Sequence, residues 1–132
     1  MPKRYPPDDP REWLNRARSN LALAKAKRKG VYLEDLCFDA QQAAEKAIKA
    51  LLIKVDVDFP YVHDLAELLT LLEKSGQKIP TSIRQAEGLS RYAVFTRYPG
   101  IGPQIKQKEY KEAVKIAGQV VRWAERLIAK KP

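Results

Sequence analysis

From Leu33 to about Val55 the apolar and small residues fall at Leu36, Ala40, Ala43, Ala44, Ala47, Ile48, Leu51, Leu52 and Val55. Spacings of three and four put them on one side of an α-helix, and a strand would scatter them over both faces. This is the strongest constraint on the chain. A helix of that length with an alanine stripe needs other helices pressed closely against it. The rest of the sequence supplies them.

Asp9-Pro10 reads as a helix start, with proline at the first helical position and Glu12 in the first turn. Leu14, Ala17, Leu21 and Ala24 follow at helical spacing, and Gly30 is expected to stop the helix. A short helix is predicted from about Asp64, with Leu65, Leu68, Leu69 and Leu72 on one face and Gly76 past its end. Ser82 and Gln85 have capping-box spacing ahead of a fourth helix carrying Ile83, Ala86, Leu89, Ala93 and Val94. That helix has to end before Pro99, and Pro99-Gly100-Ile101-Gly102-Pro103 reads as a loop. A last helix is predicted from about Gln107 to Ala129. No stretch alternates like a strand, and no repeat of 20–50 residues is visible. The expected fold is all-α: an up-and-down four-helix bundle with a short additional helix. Residues 1–8 read as a flexible leader, and 9–130 as one domain.

The 132 residues suffice for one core. One cysteine, Cys37, excludes a disulfide framework and a cysteine-based zinc site within the chain; it reads as an apolar filler. One histidine, His63, excludes a multi-histidine metal site. No Gly-rich phosphate loop, Gly-x-Ser-x-Gly elbow or acidic metal cluster is present, so neither a metal nor a cofactor is expected. No run reaches the roughly 20 apolar residues of a membrane span. Met1–Pro7 lacks the apolar stretch of a signal peptide, and a cytoplasmic location is expected.

The net charge of +9 is unevenly placed. Residues 1–30 carry nine basic and three acidic side chains, whereas residues 31–60 carry three and six. Residues 80–132 carry eleven and four. Such an excess serves solubility or a polyanionic partner, and composition does not choose between them.

Residues 89–99, Leu-Ser-Arg-Tyr-Ala-Val-Phe-Thr-Arg-Tyr-Pro, set two arginines and two tyrosines around a helix end. Arginine grips phosphate as a planar fork, and tyrosine stacks on bases. The alternative is that the aromatic rings pack the bundle end while the arginines stay solvated. His63 at a helix start suits an acid–base role or a capping one. Asp39, Gln42, Lys46 and Lys49 form a polar stripe on the second helix, read as solvated, with Asp39 in a position to meet Arg91 or Arg97 across the bundle. Glu45, four before Lys49, adds a weak supportive pair.

Trp13-Leu14-Asn15-Arg16-Ala17 with Asn20-Leu21 resembles the opening helix of HEPN domains (higher eukaryotes and prokaryotes nucleotide-binding). Cys37-Phe38-Asp39-Ala40-Gln41-Gln42-Ala43-Ala44-Glu45-Lys46-Ala47-Ile48-Lys49-Ala50-Leu51 resembles their second helix. His63-Asp64-Leu65 and Thr96-Arg97-Tyr98-Pro99 resemble two further signatures in the expected order. The resemblance implies a helical bundle that usually forms a homodimer. Many HEPN proteins are metal-independent ribonucleases, with an arginine followed after four to six residues by a histidine, often with a tyrosine two further on. Here Arg91 and Tyr98 match that pattern, and Thr96 stands in the histidine's place. A threonine hydroxyl does not titrate near neutrality, so weak or no ribonuclease activity is expected. Other members are partners of a minimal nucleotidyltransferase, proposed to act in toxin–antitoxin pairs, and in some the transferase modifies the motif's tyrosine. The resemblance therefore implies a nucleotide- or partner-binding module, with Arg91, Thr96, Arg97 and Tyr98 as anion-site candidates and Asp39 and His63 in support. An atypical ribonuclease toxin and a purely structural helical dimer are the alternatives.

Overall fold

A computed structural model describes residues 2–95 and 104–130. Among them the chain forms helices and connecting loops, with no strand. The elements are α1 (Pro10–Lys25), α2 (Leu33–Lys54), α3 (Leu65–Lys74), α4 (Thr81–Arg84), a 3₁₀ segment (Gln85–Arg91), α5 (Tyr92–Phe95) and α6 (Gln107–Ala129). The all-α bundle expected from the sequence is what is found.

Helix α2 is the centre. It packs against α1, α3, α5, the 3₁₀ segment and α6. Ala40, Ala43, Ala44, Ala47 and Ala50 are fully buried, so neighbouring backbones approach on several sides. Leu14, Ala17, Leu21 and Ala24 of α1 join the same core. Asp9 caps α1, its carboxylate accepting from the Arg11 backbone N–H at 2.9 Å. Tyr110 of α6 donates its hydroxyl to the Ala24 carbonyl at 2.6 Å, satisfying one of the carbonyls left over at the end of α1. At the other end, the Lys54 ammonium donates to the carbonyls of Leu127, Ile128 and Lys130, closing the C-terminus of α6.

Several local expectations are corrected. Helix α1 ends at Lys25 with Ala26 as its cap, and Gly30 instead serves a turn at φ +86°, beyond the helix. The Ser82/Gln85 capping box does not form. Pro80 occupies the N-cap of α4, and no side chain caps that helix. Ser82 therefore lies inside the first turn, where its hydroxyl cannot act as an N-cap. The single fourth helix is divided, with seven residues wound as 3₁₀ between α4 and α5. At three residues per turn, Ile83, Ala86, Leu89 and Tyr92 align on one side, and all four are buried. Residues 3–7, part of the leader, are joined to α1 by three hydrogen bonds: Tyr5 donates its backbone N–H to Glu12 at 2.9 Å, the Trp13 indole donates to the Pro7 carbonyl at 2.7 Å, and Asn15 donates to the Lys3 carbonyl at 2.8 Å.

Candidate anion site beside Arg91

The 3₁₀ segment and the start of α6 enclose a cleft of about 610 Å³. Arg91, Tyr92, Lys106, Lys108 and Glu109 are among the residues that line it. Three features position Arg91. The threefold winding buries Tyr92 in the core and leaves Arg91 at the surface. Ser90 accepts the Leu65 backbone N–H at 2.9 Å, fastening the segment to the start of α3. Glu34 in the first turn of α2 accepts the Ile105 backbone N–H at 3.1 Å, which fixes the approach to α6.

The Arg91 guanidinium lies 5.0 Å from the centre of the Tyr92 ring. Its Nη2 donates to the Tyr92 hydroxyl at 3.0 Å and to Glu109 Oε2 at 3.3 Å. Tyr92 in turn donates its hydroxyl to the same Glu109 oxygen at 2.5 Å. Burial, and then the bond to Glu109, push the Tyr92 hydroxyl up to about 12, so it remains a donor at neutral pH. Arg91 stays charged, its pKa raised first by the hydrogen bond to Tyr92. Among the described residues, the Nε and Nη1 groups of Arg91 have no hydrogen-bond partner, and the side chain is half exposed. Such an edge can grip a phosphate or carboxylate. Cys37 of α2 is close enough to feel both Glu109 and Arg91, but burial is the main reason its thiol rises to about 12.

Of the sequence candidates, Arg91 lies in this cleft. Thr96, Arg97 and Tyr98 lie outside the described residues, as does the Pro99–Pro103 loop. Asp39 is turned toward α1, where it accepts from Asn20 at 3.2 Å. Asn20 accepts from Lys46 at 2.8 Å, so Asp39 belongs to a seam between α1 and α2. Burial raises the Asp39 pKa, against the pull of that Asn20 bond.

His63 belongs to a different cluster. Its Nδ1 is 2.8 Å from Glu45 Oε1, and the same oxygen accepts from Gln41 at 2.9 Å. Glu45 Oε2 accepts from Lys49 at 2.9 Å. Glu45 and Lys49 are 3% and 6% exposed, so the Lys49 end of the polar stripe is buried with its Glu45 partner, not solvated. Phe59 and Tyr61 lie over the Lys49 ammonium at 5.5 and 5.9 Å. Burial alone would raise the Glu45 pKa, yet the hydrogen bonds from Lys49, Gln41 and His63 leave it below its ordinary value. Glu45 lies eight residues beyond Cys37, about 12 Å further along α2. The His63 ring faces Glu45 whereas Arg91 faces Glu109, and the Ser90 hydroxyl, accepting the Leu65 backbone N–H, ties the two chain segments together.

Sequence reasoning missed Glu109 and Tyr92 as partners of Arg91. Glu109 is 18 positions away, and the only signal was its place in the first turn of α6. It also missed Gln41 and Glu45 as a buried network. The aromatic Phe59 in the loop after α2, packed against the core, was the available hint of a cover.

The family model described as "HEPN domain" matches residues 10–127. A crystal structure of a Thermus thermophilus protein is similar over 89% of this chain and 96% of its own, with 31% identity and a TM-score of 0.77. That of an archaeal HEPN homologue is similar over 91% and 98%, with 26% identity and a TM-score of 0.73. No curated protein matches.

Proposed function

The chain belongs to the HEPN domain family, and from that premise we propose that it is a nucleotide- and partner-binding module acting with a minimal nucleotidyltransferase, in a toxin–antitoxin pair. The observation that carries this reading is the open donor edge of Arg91 in a cleft rimmed by Lys106 and Lys108. Three cations against two carboxylates, Glu109 and Glu112, leave the concave surface with a positive excess that suits a phosphate-bearing ligand, and about 610 Å³ accommodates a nucleotide. In this reading Arg97, which precedes the cleft-lining Gln104 by seven positions in the sequence, would supply a second guanidinium. Tyr98 is the acceptor that a partner transferase would modify.

Dimerisation belongs to the same proposal, because a second copy doubles the arginines offered to one polyanion. Thr96 supplies no imidazole, so catalysis of RNA cleavage is not part of it.

The test is titration of ATP and of a short RNA at fixed salt. A charge-assisted bond to phosphate is worth about 1.5–3 kcal/mol, so Arg91→Ala or Arg97→Ala should weaken binding roughly 10- to 150-fold. Lys111→Ala, on the exposed side of α6, should change it by less than about threefold. Equal losses in all three variants would reduce the site to general electrostatics. Incubation with a minimal nucleotidyltransferase and ATP should add one nucleotidyl mass, lost in Tyr98→Phe.

A further inference from the structure

We propose that Glu109 is a built-in competitor for Arg91: its carboxylate occupies the place of an incoming phosphate oxygen and sets the cleft's affinity for anions. This rests on the reading of the cleft as an anion site. The geometry is specific to one atom. Glu109 Oε2 accepts from Arg91 at 3.3 Å and from Tyr92 at 2.5 Å. The first distance is long for a charge-assisted bond, whose usual range is about 2.7–2.9 Å, and the second is at the short end for a hydroxyl donor. Tyr92 therefore holds the carboxylate, and Arg91 is its loosely bound cation. Arg91 and Glu109 are 52% and 36% exposed, so an entering anion reaches the guanidinium from solvent and meets the carboxylate beside it.

A phosphate gripping Arg91 has two obstacles. It must share or displace the bond from Nη2 to Glu109, and it brings negative charge close to a fixed carboxylate. A group with a single weak charge gains little against both. A terminal phosphate or a diphosphate carries enough charge to win the guanidinium, aided by Lys106 and Lys108. The cleft should thus prefer nucleoside di- and triphosphates over monocarboxylates and neutral nucleosides. Glu112 lines the same cleft but makes no ion pair with Arg91, which allows direct competition to be separated from the general field.

The experiment is calorimetric titration of the full chain with inorganic pyrophosphate and with ATP. The proteins are wild type, Glu109→Gln, Glu112→Gln, Arg91→Ala and the double variant Arg91→Ala/Glu109→Gln, at two salt concentrations. Glutamine keeps an oxygen for the Tyr92 hydroxyl, and the circular dichroism of each variant confirms its helices. Glu109→Gln should tighten binding about 5- to 20-fold at low salt, with a smaller gain at high salt. Glu112→Gln should change it less than about threefold, and the gain from Glu109→Gln should vanish when Arg91 is absent. Weaker binding in Glu109→Gln would mean that the carboxylate orients Arg91 instead, which overturns the competitor role while leaving the anion site standing. Equal gains in Glu109→Gln and Glu112→Gln would overturn it in favour of general repulsion. Wild-type binding unaffected by Arg91→Ala would overturn the anion-site reading and this inference with it.

Discussion

At the scale of single residues, burial decides which polar groups are chemically available. Cys37 is fully buried and its thiol is pushed up to about 12, mainly by loss of water. It should be unreactive toward a thiol reagent at pH 8 in the native protein and react in urea; stoichiometric labelling without denaturant would contradict this burial. Glu45 shows the opposite balance, with bonds from Lys49, Gln41 and His63 outweighing its desolvation. A carboxylate whose folded pKa is depressed contributes stability above its unfolded value, about 4.3, and that contribution is lost as pH falls through the folded value. Urea unfolding midpoints should drop below about pH 4, and less steeply in Glu45→Gln. Glu45→Ala leaves a buried ammonium unpaired and should cost about 3–5 kcal/mol. A cost under about 1 kcal/mol, the value for an exposed pair, would contradict the buried network. The sequence placed Glu45 and Lys49 four apart on a helix. It did not reveal that the loop residue Phe59, packed against the core, lies beside the Lys49 ammonium, because that contact is tertiary.

At the scale of elements, legibility tracked periodicity. The starts of α1 and α3 were readable from Asp9-Pro10 and Asp64, whose carboxylates do cap them. The long helices α2 and α6 were readable within a residue or so, because their stripes are long and unbroken. The region after Pro80 was misread. Its buried positions, Ile83, Ala86, Leu89 and Tyr92, recur every three residues, a 3₁₀ spacing that an α-helical template absorbs as imperfect. Gly88 lowers the preference for an α-helix there, and the Ser90 hydroxyl is engaged by α3. Ser90→Ala removes the acceptor for the Leu65 N–H and should destabilise the protein by about 1 kcal/mol, measured as a shift in the urea midpoint. No change would mean that the 3₁₀ segment does not need this tie. The site inherited the same pattern: Arg91 was legible from its motif, while its partners depended on how the segment winds.

At the scale of the molecule, α2 packs against α1, α3, α5 and α6, and the cleft and the His63 cluster are built on different carboxylates, Glu109 and Glu45. Dimerisation should appear in sedimentation at micromolar concentration, and a monomer there would count against the doubled-arginine version of the site. The most direct test of the central claim, that Arg91 and its cleft bind a nucleotide, is the map of backbone amide shifts in ¹⁵N-labelled protein titrated with ATP. The largest changes should fall at Leu89–Tyr92 and Lys106–Ala113 and disappear in Arg91→Ala. Changes centred instead on Trp13–Arg16 or Phe59–Leu65, or an unaltered map in Arg91→Ala, would contradict it.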